Sequence, residues 1–267
     1  MTNPNYATDL TDDQWQLIKD WLPPPKRGGR PRTVCLRQAL NAMFYLLTTG
    51  CQWNLLPQSY PHWRTVYGYF RAFQDDGTWG RLHSRLRRYA RRLAGRRAAP
   101  TAGSVDSQCV KATQMSGPRG YDVFKSIYDV FKSIKGRKRH IIVDTLGLLL
   151  AVVVTPANIS DTAGAVQLMP LLRHQCHRLR RLWCDGGYFD TAKAQATSHG
   201  LRLEPVLRPQ GQKGFAPLPR RWVVERTFAW LSRCRRLARE YEVRPESSEA
   251  FICLAMSKLM LARLAPP

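Results

Sequence analysis

The sequence is poor in acidic residues and lacks any long apolar run. Only 19 Asp and Glu residues stand against 42 Lys and Arg, which gives a formal net charge of +23 over 267 residues. A folded chain with this imbalance favours a polyanionic partner, because each phosphate that Lys or Arg neutralises releases counterions. Hydrophobic residues make up 44% of the chain, which excludes a basic disordered tail. Without a run of about 18 apolar residues, no membrane-spanning helix is expected.

The cysteines and the N-terminal segment exclude several further classes. The seven cysteines are odd in number, and no C-x-x-C pair occurs among them. Neither a zinc site nor a disulfide framework is therefore expected. The first residues, MTNPNYATDLTDD, are polar and acidic, unlike a signal peptide. The expectation is a cytoplasmic protein with reduced thiols.

What the sequence does contain begins with helical periodicity in residues 1–97. A capping box begins a predicted helix over residues 10–22, which three prolines end. A mostly apolar helix is predicted over residues 35–48, and an aromatic-rich helix over residues 61–77. These last two helices, with Arg64 on the second, could form a helix-turn-helix, although the loop between them is longer than a tight turn, and a plain helical bundle is the alternative.

The helix predicted over residues 81–97 is amphipathic. Its apolar residues follow one stripe, and the adjoining face carries four arginines: Arg81, Arg85, Arg88 and Arg92. No acidic residue in this helix pairs them, so contact with DNA phosphates is favoured over a solvated face. Residues 98–103 are predicted to be an interdomain linker.

Strand patterns replace helical ones after this linker. A short strand is predicted over residues 104–110, a hairpin over 139–155 and a further strand within 178–188. Helices are predicted over residues 161–175, 190–199, 220–240 and 246–263. This order of elements predicts an α/β fold with a mixed sheet.

Three acids stand in contexts that favour chemistry. Asp106 lies inside an apolar strand, Asp185 ends another strand before a Gly-Gly pair, and Glu225 lies on a helix of basic and apolar residues. Cleavage of a phosphodiester uses two divalent ions held by such carboxylates. Three competing acids have structural explanations: a hairpin turn for Asp144, and helix caps for Asp161 and Asp190.

A basic run, KGRKRH, leads into the hairpin. Its cations before the histidine are predicted to contact DNA, with a solvated loop as the alternative: Lys135, Arg137, Lys138 and Arg139. A perfect heptad duplication precedes it, with YDVFKSI over residues 121–127 and again over 128–134. We expect this duplication to lengthen a loop without moving the core, because added loop length costs little free energy.

Several segments match one known family in order along the chain. LTDDQWQLIKDWLPPP and TGCQWNLLP are similar to its helical N-terminal domain, and VDSQCVK, KGRKRHIIVDTLGLLLAVVV, LWCDGGY and RWVVERTFAWLSRCRRL are similar to its catalytic domain. By these motifs the chain resembles the DDE transposases of bacterial insertion sequences, in the branch known as insertion-sequence family five. No single tripeptide is specific, but four catalytic-domain motifs in this order are.

The resemblance implies an RNase H-like catalytic domain over residues 104–267, preceded by an all-helical DNA-binding domain over residues 1–97. It implies a catalytic and metal-binding triad of Asp106, Asp185 and Glu225. Two Mg²⁺ ions are the implied cofactor, and Mn²⁺ is expected to replace them.

The resemblance also bears on the helix that carries Glu225. Arg221 matches the arginine of the family's R-x-x-x-E signature and is expected to hold a DNA phosphate, and Arg226 joins the candidate DNA contacts. The wider superfamily has a tyrosine before that arginine and a lysine after the glutamate, whereas this chain has Leu218 and Ser232.

The implied function is DNA transposition. The expected partners are double-stranded DNA, both terminal inverted repeats and target, and further copies of the chain as a homodimer or higher oligomer on that DNA. A bacterial, nucleoid-associated location follows from these partners. Two alternatives stay open: a catalytically decayed transposase that only binds DNA, and an RNase H-like nuclease that cuts but does not join strands.

Overall fold

The N-terminal part of the chain is helical in the computed structural model, which describes residues 6–25, 28, 31–122, 134–188, 190–207 and 218–266. The helices are α1 (Asp12–Ile18), α2 (Leu36–Thr49), α3 (Trp63–Asp75) and α4 (Thr78–Leu93), with 3₁₀ turns over Lys19–Trp21 and Trp53–Leu55. The predicted capping box is present at the start of α1. Gly50, with φ of 73°, ends α2 in the left-handed conformation that favours glycine.

The remaining part of the chain forms a mixed sheet covered by helices. Its strands are β1 (Ala102–Lys111), β2 (Gly120–Tyr121), β3 (Lys135–Asp144), β4 (Leu149–Pro156), β5 (Arg181–Cys184) and β6 (Arg202–Pro205). Its helices are α5 (Asp161–Gln175), α6 (Asp190–Ser198), α7 (Trp222–Ser232), α8 (Arg235–Ala238) and α9 (Pro245–Leu264).

The strands are ordered β4–β3–β1–β5–β6, with the short β2 pairing the start of β3. β3 runs antiparallel to both β1 and β4, whereas β5 is parallel to β1 and β6 is parallel to β5. A five-strand order with one antiparallel strand second from the edge is the RNase H-like arrangement that the sequence predicts.

Two apolar layers cover the two faces of this sheet. Successive residues of a strand point to opposite faces, so Ile141 packs into one layer and Ile142 into the other. One layer combines the sheet with α1 to α4, α7 and α9, and the other combines it with α5 and α6. The N-terminal helices therefore share a core with α9 at the far end of the sequence, although the chain does pass from helix to sheet close to the predicted 98–103 linker. The two-domain division stays a prediction.

Several elements differ from their sequence-based predictions. Residues 50–62 separate α2 from α3, so these two helices lack the tight turn of a helix-turn-helix and belong to a helical bundle. The helix predicted over 220–240 is interrupted between α7 and α8. β6 was not predicted, because four residues with a single buried leucine carry little strand signal.

Most of the heptad duplication, residues 123–133, lies outside the described residues. On either side of it the chain is paired, because Tyr121 lies opposite Lys135 in the β2–β3 ladder and the Asp122 amide donates to the Ile134 carbonyl. β3 then keeps a continuous register with β1 from Gly136 to Asp144. In the described part of the chain, the helices are too short or too polar to cross a membrane.

Candidate active site

Asp106 and Asp185 lie just beyond the last paired residues of the parallel β1–β5 ladder, with Asp106 midway along β1 and Asp185 directly after β5. Ser104 of β1 lies opposite Trp183 of β5, and each acid follows one of these two residues by two positions. A two-residue step returns a side chain to the same face, so the two carboxylates point to the same side of the sheet. Strand ends of this kind are where α/β folds collect their chemistry.

The face that these acids share is covered by the start of α7. The Ser104 hydroxyl donates to the Arg220 carbonyl at 2.7 Å, and the Arg220 guanidinium lies 5.0 Å from the centre of the Trp183 ring. Arg220 has a φ of 72°, a left-handed conformation that a non-glycine residue keeps only when its surroundings hold it there. Both strands therefore contact Arg220, which lies two residues before α7 begins.

Arg221, the next residue, brings a positive charge between the two acids. Its Nη2 lies 3.9 Å from Asp185 Oδ2, and its charge also acts on Asp106. Burial raises the pKa of Asp106 to about 7, and the negative charges of Asp185 and Asp161 act in the same direction. The amide of Ser107, which donates to Asp106 at 2.8 Å, and the charge of Arg221 oppose that rise.

Glu225 lies one helical turn after Arg221, in the first turn of α7, and its side chain is exposed. Residues four apart share a helix face, so Glu225 follows Arg221 along the same side of α7. The structure thus brings Asp106 and Asp185 together beside Arg221. Glu225 lies one helical turn beyond Arg221.

Carboxylates at adjacent strand ends fit a hard divalent cation, which takes oxygen ligands. A positive ion there would offset the repulsion that helps to raise the pKa of Asp106. Among the residues that the structure describes, no three His, Cys, Asp or Glu side chains are arranged to hold one ion. Asp106 and Asp185 offer the carboxylate oxygens that such an ion takes, whereas Glu225 would have to approach them to complete a set of three.

The basic run before the hairpin is not the exposed segment that the sequence predicts. It forms the first half of β3, where Arg137, Lys138 and Arg139 are at most 3% exposed. Arg137 and Arg139 pair with Glu240 at 3.5 and 3.4 Å, and Lys138 pairs with Asp161 at 3.2 Å. The prediction that these three cations contact DNA is wrong, because β3 is an inner strand covered on both faces.

The other predicted DNA contacts have accessible positions. Lys135 is exposed at the start of β3, as are four arginines of α3 and α4: Arg64, Arg85, Arg88 and Arg92. Arg226 is half-buried, with its guanidinium 4.3 Å from the Trp222 ring and 4.7 Å from the Trp230 ring. Their contact with DNA stays a prediction.

Sequence reasoning missed residues that surround the two acids. Asp161 was assigned to helix capping, but the Ser160 hydroxyl performs that role by accepting from the Ala163 amide. Asp161 instead accepts a hydrogen bond from Ser107, the residue after Asp106. Tyr188, three residues after Asp185, is 3% exposed. Only the folding of α5 onto the strand ends brings Asp161 to this place, although the LWCDGGY motif already contained the tyrosine.

The fold and this pair of acids define an RNase H-like protein with its chemistry at the strand ends. Comparison with known families adds a match of residues 97–260 to the transposase DDE domain and of residues 10–83 to the putative transposases of the IS4/5 family. A putative transposase for insertion sequence element IS402 from Burkholderia cepacia is 35% identical over 130 residues, which cover 45% of this chain and 60% of that protein. An uncharacterised 16.2 kDa protein of the same element is 34% identical over 117 residues, covering 39% of this chain and 73% of that protein.

The chain belongs to the family of DDE-domain transposases, since the family model covers more than half of its length. The DDE domain of this family uses a divalent metal. The chain spans less than two thirds of the length of the IS402 transposase that it matches.

Proposed function

We propose that the protein is the transposase of a small insertion sequence, which cuts the ends of its element and joins them to target DNA. The observation that supports this most directly is that Asp106 and Asp185 follow the last paired residues of the parallel β1–β5 ladder, where the charge of Arg221 acts on both acids. Two carboxylates next to a cation suit a phosphate backbone that must approach metal ligands. The excess of 42 Lys and Arg over 19 Asp and Glu favours the same substrate.

Each residue of the site takes a role that follows from its position. Asp106 and Asp185 hold divalent cations between the strand ends, with Glu225 as a third ligand after it approaches them. When bound, two such cations supply stabilisation of the attacking and leaving oxygens of the phosphodiester. Arg221 holds the phosphate next to the acids and partly offsets their charge. We propose Mg²⁺ as the physiological ion, with Mn²⁺ as a substitute.

DNA approaches through exposed and half-buried cations. Arg64, Arg85, Arg88 and Arg92 supply phosphate contacts on the N-terminal helices, and Lys135, Arg221 and Arg226 supply them on the remaining part. The terminal inverted repeats and the target are the double-stranded partners. Since two element ends are cut together, the chain acts as a homodimer or larger oligomer on DNA, associated with the bacterial nucleoid.

The test is cleavage of a labelled duplex that carries the element's terminal repeats, with Mg²⁺ or with EDTA. We expect nicking at the element boundary that requires the metal and that Asp106→Asn, Asp185→Asn and Glu225→Gln each reduce by at least about 100-fold. The control is Asp190→Asn, whose side chain is fully exposed and pairs only with Lys193 among the ion pairs of the described chain. If the Asp106→Asn or Glu225→Gln variant cleaves the duplex as fast as the unmodified protein does, the assignment of the catalytic triad is wrong.

A catalytically decayed transposase is the second candidate, and the heptad duplication favours it. This candidate predicts tight, salt-sensitive binding to the repeats with no nicking. Deletion of residues 128–134 would restore a single YDVFKSI before KGRKRH. Cleavage that appears only after this deletion would identify the duplication as the lesion. A strand-transfer assay with pre-cleaved ends separates the active transposase from an RNase H-like nuclease, which cuts strands but does not join them.

A further inference from the structure

The first turn of α5 forms hydrogen bonds with both chain segments that carry the candidate catalytic acids. The Ser107 hydroxyl donates to Asp161 Oδ1 at 2.5 Å, and Ser107 directly follows Asp106. The Thr162 hydroxyl donates to the Gly187 carbonyl at 3.4 Å, and Gly187 is two residues after Asp185. Two successive residues of one helix therefore contact both ends of the site.

The position of this turn is fixed by close packing. Gly164 lies so near the His140 ring that a Cβ at this position would lie 2.1 Å from ring atoms. His140 is directly opposite Ser107 in the β1–β3 ladder. The Ser160 hydroxyl caps the helix through the Ala163 amide, so the backbone of the first turn is held as well. A helix held in this way can orient the groups that it contacts.

Asp161 also belongs to the electrostatic surroundings of Asp106. Its negative charge, like that of Asp185, contributes to the raised pKa of Asp106. Its carboxylate lies 3.2 Å from the Lys138 ammonium. The side chain of Lys138 is buried, and its ammonium also lies 3.8 Å from the Asp122 carboxylate. Removal of Asp161 would leave the buried Lys138 charge close to the site with one acid fewer to balance it.

Tyr188 points to a ligand among the same acids. Its side chain is 3% exposed, and its hydroxyl has no hydrogen-bond partner within the part of the chain that the structure describes. Burial and the charges of Asp106, Asp161 and Asp185 raise the pKa of this phenol well above its usual value. A buried hydroxyl costs free energy without a partner, and a ligand held by Asp106 and Asp185 would supply one.

We propose that Asp161 is a positioning residue of this site. It accepts a hydrogen bond from the hydroxyl of Ser107, whose amide donates to Asp106, and so orients that residue. Its negative charge also favours a divalent cation beside Asp106 and Asp185. The inference rests on the proposed function, because it assumes that Asp106 and Asp185 hold the ion. It assigns Asp161 a role without making it a metal ligand.

The test measures Mn²⁺ binding to the full-length protein without DNA, from the electron paramagnetic resonance signal of free Mn²⁺. Asp161→Asn removes the charge but keeps an oxygen that can accept from Ser107. We expect its dissociation constant for Mn²⁺ to be about tenfold higher, the size expected when one nearby charge is lost in a partly solvated site. The matched control is Asp190→Asn, because Asp190 also begins a helix and pairs with a lysine, at 3.4 Å. We expect that control to stay within about twofold of the parent.

Asp106→Asn distinguishes failure of this inference from failure of the proposed function. If Asp106→Asn weakens Mn²⁺ binding but Asp161→Asn binds as tightly as the parent, the role of Asp161 is refuted and the site itself stands. If Asp106→Asn also binds as the parent does, the proposed site is refuted, and the inference with it. Equal thermal unfolding temperatures for the variants would exclude a general loss of structure.

Ser107→Ala tests the hydrogen bond separately from the charge. This variant keeps the carboxylate of Asp161 but removes its donor. At saturating Mn²⁺ we expect cleavage to be about tenfold slower, with the Mn²⁺ dissociation constant within about threefold of the parent, and Ser107→Thr to restore the rate. Cleavage by Ser107→Ala at the rate of the unmodified protein would contradict the positioning role of Asp161.

Discussion

Two arginine-rich segments of this protein, α4 and the first half of β3, expose different shares of their arginines, since α4 buries Arg87 and Arg91 but exposes four others. In α4, Arg81, Arg85, Arg88 and Arg92 are exposed, and in β3, Arg137 and Arg139 are fully buried. The difference arises from the element, since a surface helix has one solvent face whereas an inner strand has none. A basic run in a sequence therefore identifies a DNA-binding surface only where its secondary structure leaves that face free.

The buried arginines also differ from the exposed ones in their partners. Both Arg137 and Arg139 reach the carboxylate of Glu240, which is 1% exposed and also accepts from the Ser248 hydroxyl at 2.9 Å. Burial lowers the pKa of Arg139, and Glu240 opposes that change. These cations connect β3 to the segment before α9, so we assign them a role in the stability of the fold.

The largest effect that would test this comparison is expected from Glu240→Ala. The change leaves two buried guanidinium groups without their shared acid, which costs about 3–5 kcal/mol of the free energy of unfolding. Urea titration of the parent and the variant measures it. Glu246→Ala, at an exposed position in the first turn of α9, is the control and should change that free energy by no more than about 0.5 kcal/mol. A loss below about 1 kcal/mol for Glu240→Ala would contradict the role of the buried pair.

A smaller effect is expected from an acid that has a raised pKa in the same region. Burial raises the pKa of Glu249 to about 7, and its carboxylate accepts from the Val154 amide of the edge strand β4 at 2.9 Å. In the unfolded chain the Glu249 carboxyl loses its proton near pH 4.5, whereas in the folded protein it keeps the proton up to about pH 7. The free energy of unfolding therefore falls as the pH rises from about 4.5 to about 7, and above pH 7 the effect of Glu249 on it is constant.

Glu249→Gln should remove that dependence, because the amide has no proton to lose. We expect the variant to be more stable than the parent at pH 8, on the order of 2 kcal/mol, with the difference shrinking toward pH 5. Urea titrations at both pH values check this expectation. A difference that stays constant with pH would show that Glu249 titrates normally in the folded protein.

The smallest effect on stability is expected for the exposed arginines of α4. Arg85→Ala with Arg88→Ala should change the free energy of unfolding by less than about 0.5 kcal/mol. If both residues contact phosphates, the slope of log binding constant against log salt should decrease by about 2 for terminal-repeat DNA. Arg202→Ala, at an exposed position on β6, is the control for the loss of one positive charge. If it lowers the salt slope as much per charge removed as the α4 changes do, α4 does not contact the DNA phosphates specifically.

The sequence predicted most of the elements because their signals are local. The capping box of α1, the apolar hairpin of β3 and β4 and the amphipathic α4 depend on neighbours a few residues apart. β6 and the break between α7 and α8 were missed, since neither changes the periodicity enough to be recognised.

By itself, the sequence determined the class of fold, the net positive charge, the candidate acids and, through its motifs, the family. Only the tertiary structure decided which charges face solvent, because burial depends on what covers a strand or helix from distant parts of the chain. It buried Arg137, Lys138 and Arg139, aligned Asp106 with Asp185, and brought Asp161 next to Ser107. Those contacts join residues up to about a hundred positions apart in the sequence, beyond the reach of any local pattern.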